Sequence, residues 1–174
     1  MIVNQRPLLE VQQRTGHPPG VAWWGTGYLR LPLEPMQGYP HPTSAAVTAQ
    51  MKGNRRTDTR PEVALRSALH ARGMRFRKDY KVPVPGGRAT RGDVVFPRAG
   101  VVVFVDGCFW HGCPEHGHVP RTNSHYWPAK LKRNRARDDR VTTALERDGW
   151  TVVRIWEHVP AVEAVERVEA AVRG

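Results

Sequence analysis

The sequence predicts an α/β domain: a central mixed sheet with helices on its faces. Three observations predict it. Apolar residues gather in short runs of strand length, the longest being VVVFV at 101–105. Those runs alternate with longer stretches whose apolar residues recur three and four positions apart, the helical spacing. The 174-residue length suits one domain with a core of ordinary size.

Residues 1–43 stand apart from this pattern. They are rich in Pro and Gly (HPPG, LPLEP, GYPHP) and keep no sustained period, which predicts a poorly ordered extension. The Trp23-Trp24 pair resists a fully disordered reading and is a candidate to dock on the domain or on a partner. The folded domain is expected over 44–174, with helical patterning from Thr43 onward. Thr59-Arg-Pro-Glu62 reads as a capping box, with Thr59 as N-cap, Pro61 in the first turn and Glu62 bonding back. The helix runs on to Gly73, its apolar side supplied by Val63, Leu65, Ala68 and Leu69. Short strands are expected at 74–76 and 81–84, then a turn at Pro85-Gly86-Gly87. Residues 93–96 (DVVF) read as a strand and 100–106 as a more deeply buried one. A loop follows His116. A basic helix starts near Trp127-Pro128, packs through Leu131, Val141 and Leu145, and ends at Gly149. Residues 151–156 (TVVRIW) read as a strand and 161–172 as a terminal amphipathic helix. There is no internal repeat.

Charge narrows the partner. A net +11 and a pI near 10.6 favour a polyanion, nucleic acid first, although many small proteins are basic without binding anything. No run of about eighteen apolar residues exists, so no membrane span is expected. The N-terminus MIVNQRPLLEVQQ lacks a signal pattern, so a cytoplasmic protein is expected and secretion is not. Two cysteines in that compartment do not suggest a disulfide framework.

Chemistry concentrates in DGCFWHGCPEH, residues 106–116. Structural zinc takes four Cys or His ligands in a tetrahedron. If strands 100–106 and 151–156 are parallel neighbours, their ends meet, and Cys108, Cys113, His116 and His158 fall together. His118 is the spare candidate, and free buried cysteines with surface histidines are the plain alternative. Asp93 sits at a strand, where aspartate is depleted. It serves either a preceding turn or a hard divalent cation of the kind phosphodiester hydrolysis uses. Glu62 is accounted for by helix initiation alone. His111 is a candidate general base, a fifth ligand or a structural histidine. Phe109, Trp110 and Trp127 suit a core, or stacking and wedging against bases. The run KLKRNRARDDR reads as a solvated face or a phosphate contact, with Asp138 and Asp139 in intrahelical pairs.

Taken together, GCFWH at 107–111, the upstream MKGNRRTDTRPE, the Tyr126-Trp127 pair, NRARDDR and DGWTVVRIWE resemble the very-short-patch-repair (Vsr) DNA mismatch endonucleases, over about residues 44–160. The resemblance implies a fold similar to type II restriction endonucleases, a central mixed sheet flanked by helices, with one structural zinc. It implies nicking of one strand 5′ to the thymine of a T:G mismatch, the product of 5-methylcytosine deamination. It assigns two magnesium ions to Asp93, with the Val105 backbone carbonyl completing one shell. His111 helps activate water, and Glu62 contributes through metal-bound water. Phe109, Trp110 and Trp127 correspond to an intercalating wedge, and Met51 to a residue inserted from the opposite groove. The implied partner is double-stranded DNA with a T:G mismatch, bound by a nucleoid-associated monomer. Mismatch-repair proteins are further candidate partners.

Two features depart from wider patterns. Val103 and Val105 occupy the second core strand where related nucleases carry an acidic residue and a lysine, an absence the Vsr family shares. For zinc, the family form has three cysteines and one histidine. Here His158 replaces the cysteine after Trp-Glu, and Cys113 and His116 fill the middle places. A restriction-type or modification-dependent nuclease on the same scaffold is the competing enzyme. A non-cleaving, zinc-stabilised DNA-binding module is the competing non-enzyme, disfavoured by the joint presence of Asp93, His111 and Glu62.

Overall fold

The computed structural model describes residues 56–121 and 123–174, with positions 45, 49 and 53 before them. Ala45, Ala49 and Gly53 are helical, in keeping with the pattern from Thr43. Met51 and the extension 1–43 lie outside the described residues. The elements that follow are α1 (Arg60–Ala71), β1 (Arg77–Val82), β2 (Thr90–Phe96), β3 (Val101–Asp106), α2 (Cys108–His111), α3 (Tyr126–Arg147), β4 (Thr151–Trp156) and α4 (Ala161–Arg173).

The four strands form one mixed sheet in the order β1-β2-β3-β4. β1, β2 and β3 are antiparallel neighbours, and β3 runs parallel to β4. Helices cover both faces. Val94, Val103 and Ile155 pack with Leu65 and Leu69 of α1 and Val165 and Val168 of α4. Val95, Val102 and Phe104 pack on the other face with Leu145 of α3. A strand covered on both sides has no polar face to show, which is why β3 reads as an unbroken apolar run. Each fully buried valine of that run contributes about 1.5 kcal/mol through the water it sheds.

Two helices end by the same device. Gly73 and Gly149 adopt left-handed backbone, with φ of 72° and 87°. The amide of the next residue then turns back: Met74 donates to the Leu69 carbonyl at 3.1 Å, and Trp150 to the Leu145 carbonyl at 3.0 Å. This corrects the expectation of a strand at 74–76. The Met74 amide is committed to closing α1, and Met74 and Phe76 pack on the core from a connecting segment. A single strand, β1, replaces the two expected there. The apolar side of α1 is also narrower than expected, since Val63 is exposed.

The strands part where chemistry is expected. The β2–β3 ladder holds only Val94↔Val103, Val95↔Val102 and Phe96↔Val101. Beyond it, the Val105 amide donates to Oδ2 of Asp93 at 2.7 Å. A side chain thus takes over where the ladder stops, and it lies within β2 rather than at its head. On the other flank, β1 pairs Lys78↔Val94 and then Tyr80↔Gly92, passing over Asp79, whose φ is +45°. Gly92 is required by close approach. A Cβ there would lie 2.6 Å from Cγ2 of both Val95 and Val102.

Gly92→Ala is therefore expected to destabilise the fold by about 1–3 kcal/mol, the usual cost of overpacking. Urea unfolding checks this. An unchanged midpoint would show that the two valines move aside freely.

Candidate functional site

The parallel register sets Asp106 beside Trp156, so the ends of β3 and β4 leave the sheet together. Glu157 clasps the two exits. Its amide donates to the Asp106 carbonyl at 2.9 Å, and its Oε1 accepts the Cys108 amide at 2.7 Å. The second bond satisfies a free amide at the start of α2, where negative charge is favourable. The sequence carried this residue in its Trp-Glu-His motif without revealing the role.

α2 is one turn of helix. Successive side chains on a helix diverge by about 100°, so four neighbours point four ways. Cys108 is buried toward β4, Phe109 and Trp110 are part-exposed, and His111 turns toward α3. Gly112 closes the turn at φ 67°, and a Cβ there would meet Nη1 of Arg135 at 2.8 Å.

Cys108, Cys113, His116 and His158 bring one ligand atom each within 4.8 Å of the others. Nδ1 of His158 lies 3.1 Å from Sγ of Cys108 and 3.7 Å from Sγ of Cys113. Nε2 of His158 faces Glu115 at 3.6 Å, the kind of carboxylate that orients a ligand imidazole. Burial, the neighbouring Cys113 thiol and Glu157 push Cys108 up to about 11. Burial works the same way on Cys113, but the amides of His116 and Glu115 outweigh it and hold that thiol below its ordinary value. His118 lies instead against Phe109, with ring centroids 5.3 Å apart.

Phe109, Trp110 and Trp127 form one aromatic cluster. Phe109 stands edge-on to Trp110 at 4.9 Å and to Trp127 at 5.2 Å. Trp127 is only 8% exposed and forms the floor, while the other two reach solvent.

The acidic centre lies where β2 and β3 part. The Asp93 carboxyl is raised from 3.8 to about 6, because burial strips its water. The Val105 amide opposes that rise, and the charges of Glu62 and Asp106 add to it. Glu62 is 5% exposed, and both its oxygens are engaged. Oε1 accepts the Thr59 hydroxyl at 2.8 Å; Oε2 accepts the Asp58 amide at 2.9 Å and Nη1 of Arg66 at 3.2 Å. The expected capping box is therefore not made: Glu62 bonds back, but to the Asp58 amide and the Thr59 hydroxyl instead of the Thr59 amide. Thr59 gives its hydroxyl to Glu62 and makes no cap bond to the helix amides. Arg66 also pairs with Asp58. A pocket of about 250 Å³ opens between the start of α1 and the ends of β3 and β4, with Arg60, Val105 and Glu157 among its walls.

His111 belongs to a second polar group. Its Nδ1 lies 2.6 Å from Oδ2 of Asp138 and 3.4 Å from Oδ1 of Asp106. Burial alone would raise the Asp138 carboxyl, but the His111 hydrogen bond and charge, with Arg154, hold it below the usual range. An ionised carboxylate only accepts, so Nδ1 is the nitrogen that donates in this contact. This corrects the reading of Asp138 as a purely intrahelical partner, although Arg137 does lie 3.1 Å from it. A usable signal was present. The inward stripe of α3 runs Trp127, Leu131, Asn134, Asp138, Val141, Leu145, at intervals of three and four. Two polar residues interrupt it, and both face α2. Asn134 donates to the Trp110 carbonyl at 2.9 Å.

Comparison with known proteins follows this geometry. The family model for DNA mismatch endonuclease Vsr matches residues 42–116. The chain is 48% identical to the type II nicking enzyme V.NaeI of Lentzea aerocolonigenes, over 75% of this chain and 78% of that protein. It is 45% identical to V.XorIIP of Xanthomonas oryzae pv. oryzae, over 62% and 76%. It is 36% identical to DNA mismatch endonuclease Vsr of Escherichia coli K12, over 58% and 62%.

The Asp93 environment predicts a pH signature in metal-free protein. A folded value above the unfolded one favours folding below about pH 4, and that support is lost as pH rises through about 6. The rise from 3.8 to about 6 corresponds to about 3 kcal/mol. With chelator present, Asp93→Asn is therefore expected to be more stable than the parent at pH 8, by up to about 3 kcal/mol. The gap should close toward pH 4. Chemical denaturation at both pH values checks it, and a pH-independent difference would contradict a desolvated Asp93.

Proposed function

The chain belongs to the Vsr family of DNA mismatch endonucleases, and from that premise we propose a magnesium-dependent enzyme that nicks one strand 5′ to the thymine of a T:G mismatch. The cut would start very short patch repair of deaminated 5-methylcytosine. The observation that carries the proposal is Asp93: a desolvated carboxylate where two strands part, close enough to Glu62 and Asp106 to feel their charges. The word nicking in the relatives' names supports cleavage of one strand rather than two.

The acidic centre fits divalent cations. Oδ2 of Asp93 is held by the Val105 amide, which leaves Oδ1 without a partner among the described residues. Asp93 and the Val105 carbonyl are the proposed direct oxygen donors. Glu62 has both oxygens occupied by donors, so it fits a contribution through water and not direct ligation. When bound, two magnesium ions would supply positive charge to the scissile phosphate and to the attacking and leaving oxygens. The chain's own residues do the remaining work. His111, with its lone pair at Nε2, takes a proton from the attacking water. Asp138 holds the ring and faces the positive charge that the ring then carries.

Phe109 and Trp110 are proposed to enter the duplex beside the mismatch, with Trp127 beneath them and Met51 approaching from the other groove. A T:G pair is held less firmly than a matched one, so wedging beside it costs less. Deformability thereby becomes a first filter before base edges are read. Cys108, Cys113, His116 and His158 fit a single structural zinc by donor type and mutual reach. The zinc would pin α2, and with it the wedge and the base, to the end of β4.

Purified protein with magnesium is expected to nick a labelled T:G duplex in one strand and to leave the matched duplex intact. Asp93→Ala should lose the activity by a thousandfold or more while still binding DNA, and cleavage that persists would remove Asp93 from the centre. For the zinc, metal analysis should give one equivalent in the parent and clearly less in Cys108→Ser and His158→Ala. His118→Ala should be unchanged. A full equivalent in both of the first two variants would sink the assigned ligand set.

A further inference from the structure

Arg154 is a charged residue in the middle of an otherwise apolar strand, where it needs a reason. The parallel register supplies its surroundings. Phe104 is its direct neighbour on β3, and the guanidinium sits 5.1 Å from that ring's centroid. Nε and Nη2 grip the two oxygens of Asp106 at 2.7 and 2.6 Å, a planar two-point clamp. Nη2 also lies 3.7 Å from Oδ2 of Asp138. Nη1 donates to the Thr142 hydroxyl at 3.4 Å.

These contacts close a ring of four groups: Arg154, Asp106, His111 and Asp138. His111 has two carboxylates within reach of Nδ1, part-buried Asp138 at 2.6 Å and buried Asp106 at 3.4 Å. Chemically they are the same acceptor, and a ring nitrogen with two equal acceptors has two orientations. Arg154 removes the symmetry. It engages Asp106 at both oxygens in a close two-point clamp, whereas Asp138 meets Arg137 through Oδ1 and offers Oδ2 to the imidazole at 2.6 Å.

We propose that Arg154 is a positioning residue of the nicking reaction: it ties up Asp106 so that His111 hydrogen-bonds to Asp138 alone, and thereby sets the direction in which Nε2 points. The guanidinium touches neither substrate nor metal. It acts by choosing the imidazole's partner. The proposal rests on the reading of His111 as the base, but its central claim concerns a hydrogen bond that is observable without cleavage.

The test combines kinetics with proton NMR. A hydrogen bond this short between a ring N–H and a carboxylate gives a far-downfield resonance, assigned by its loss in His111→Gln and Asp138→Asn. Arg154→Met keeps the bulk against Phe104 and removes the clamp. It is expected to lose roughly tenfold or more in kcat on the T:G duplex, with KM within about twofold and zinc content unchanged, and its downfield resonance should shift or split. Asp106→Asn combined with Arg154→Met removes the charged competitor as well. It should restore a single resonance and return kcat to within about threefold of the parent. This double variant also contains no unpaired buried charge, so it tests the idea even if Arg154→Met folds poorly. The proposal is overturned if Arg154→Met keeps both kcat and the resonance of the parent. It is equally overturned if the double variant remains as slow as the single one, or if kcat falls while the resonance is unmoved. His111→Ala is assayed alongside: full activity there would refute His111 as the base, while the resonance would still decide which carboxylate holds it.

Discussion

Parallel pairing of β3 with β4 is the constraint on which the rest of the site depends. Its register runs from Val101↔Thr151 to Asp106↔Trp156 without a break. Because the strands run the same way, both leave the sheet at the same edge, and the residues just past them meet. The Glu157 clasp follows, as does the approach of His158 to Cys108 across fifty residues of sequence. So does the Asp106–Arg154 clamp, since residues two apart on adjacent strands share a face. A slip of one residue would turn every one of these side chains to the opposite face. The core resists that slip, because Val102 and Val103 are sealed on opposite sides of the sheet and neither can be exchanged for a polar neighbour.

How much of this was legible depends on whether a residue's role is local or relational. β3, β4 and α3 were readable because period and composition are local properties, and their observed bounds fall within a residue of those expected. The four-ligand cluster was readable by a conditional argument, that parallel neighbours bring 108 and 158 together, and the register meets that condition. Asp138 was read as an intrahelical partner because it is interleaved in a run of Lys and Arg on one helix, whereas its shortest contact comes from twenty-seven residues away. Arg154 and Glu157 stood inside quoted motifs with no assigned role, because clamps across strands leave no trace in spacing. The strand expected at 74–76 failed for another reason. Its apolar Met74 and Phe76 alternate with Arg75 as a strand's residues would, but the backbone amide that pairing needs is already used to close α1.

The charge distribution has an internal contrast. The chain carries +11 overall, yet Glu62, Asp93, Asp106 and Asp138 converge behind its most distinctive motif. Guanidiniums answer part of that charge. Arg66 binds Glu62, Arg154 binds Asp106 and Arg137 binds Asp138. Among the described residues Asp93 has no such partner. Arg66 lowers its affinity for protons only as the last of five influences, and the carboxyl stays raised to about 6.

That contrast bears on how substrate and metal would enter. A basic surface draws a polyanion in from a distance, since the long-range field reports the net charge. At close range the phosphate meets a carboxylate that repels it. On the proposed reading, cations would resolve the conflict by binding both, and each phosphate oxygen would add a ligand to a shell that the protein fills sparsely. Asp93 with one backbone carbonyl would be a weaker divalent site alone than with a phosphate. By linkage, whatever raises the affinity for one raises it for the other by the same factor. A nuclease built this way would hold little metal until DNA arrives, and its cutting centre would be complete only when DNA has docked.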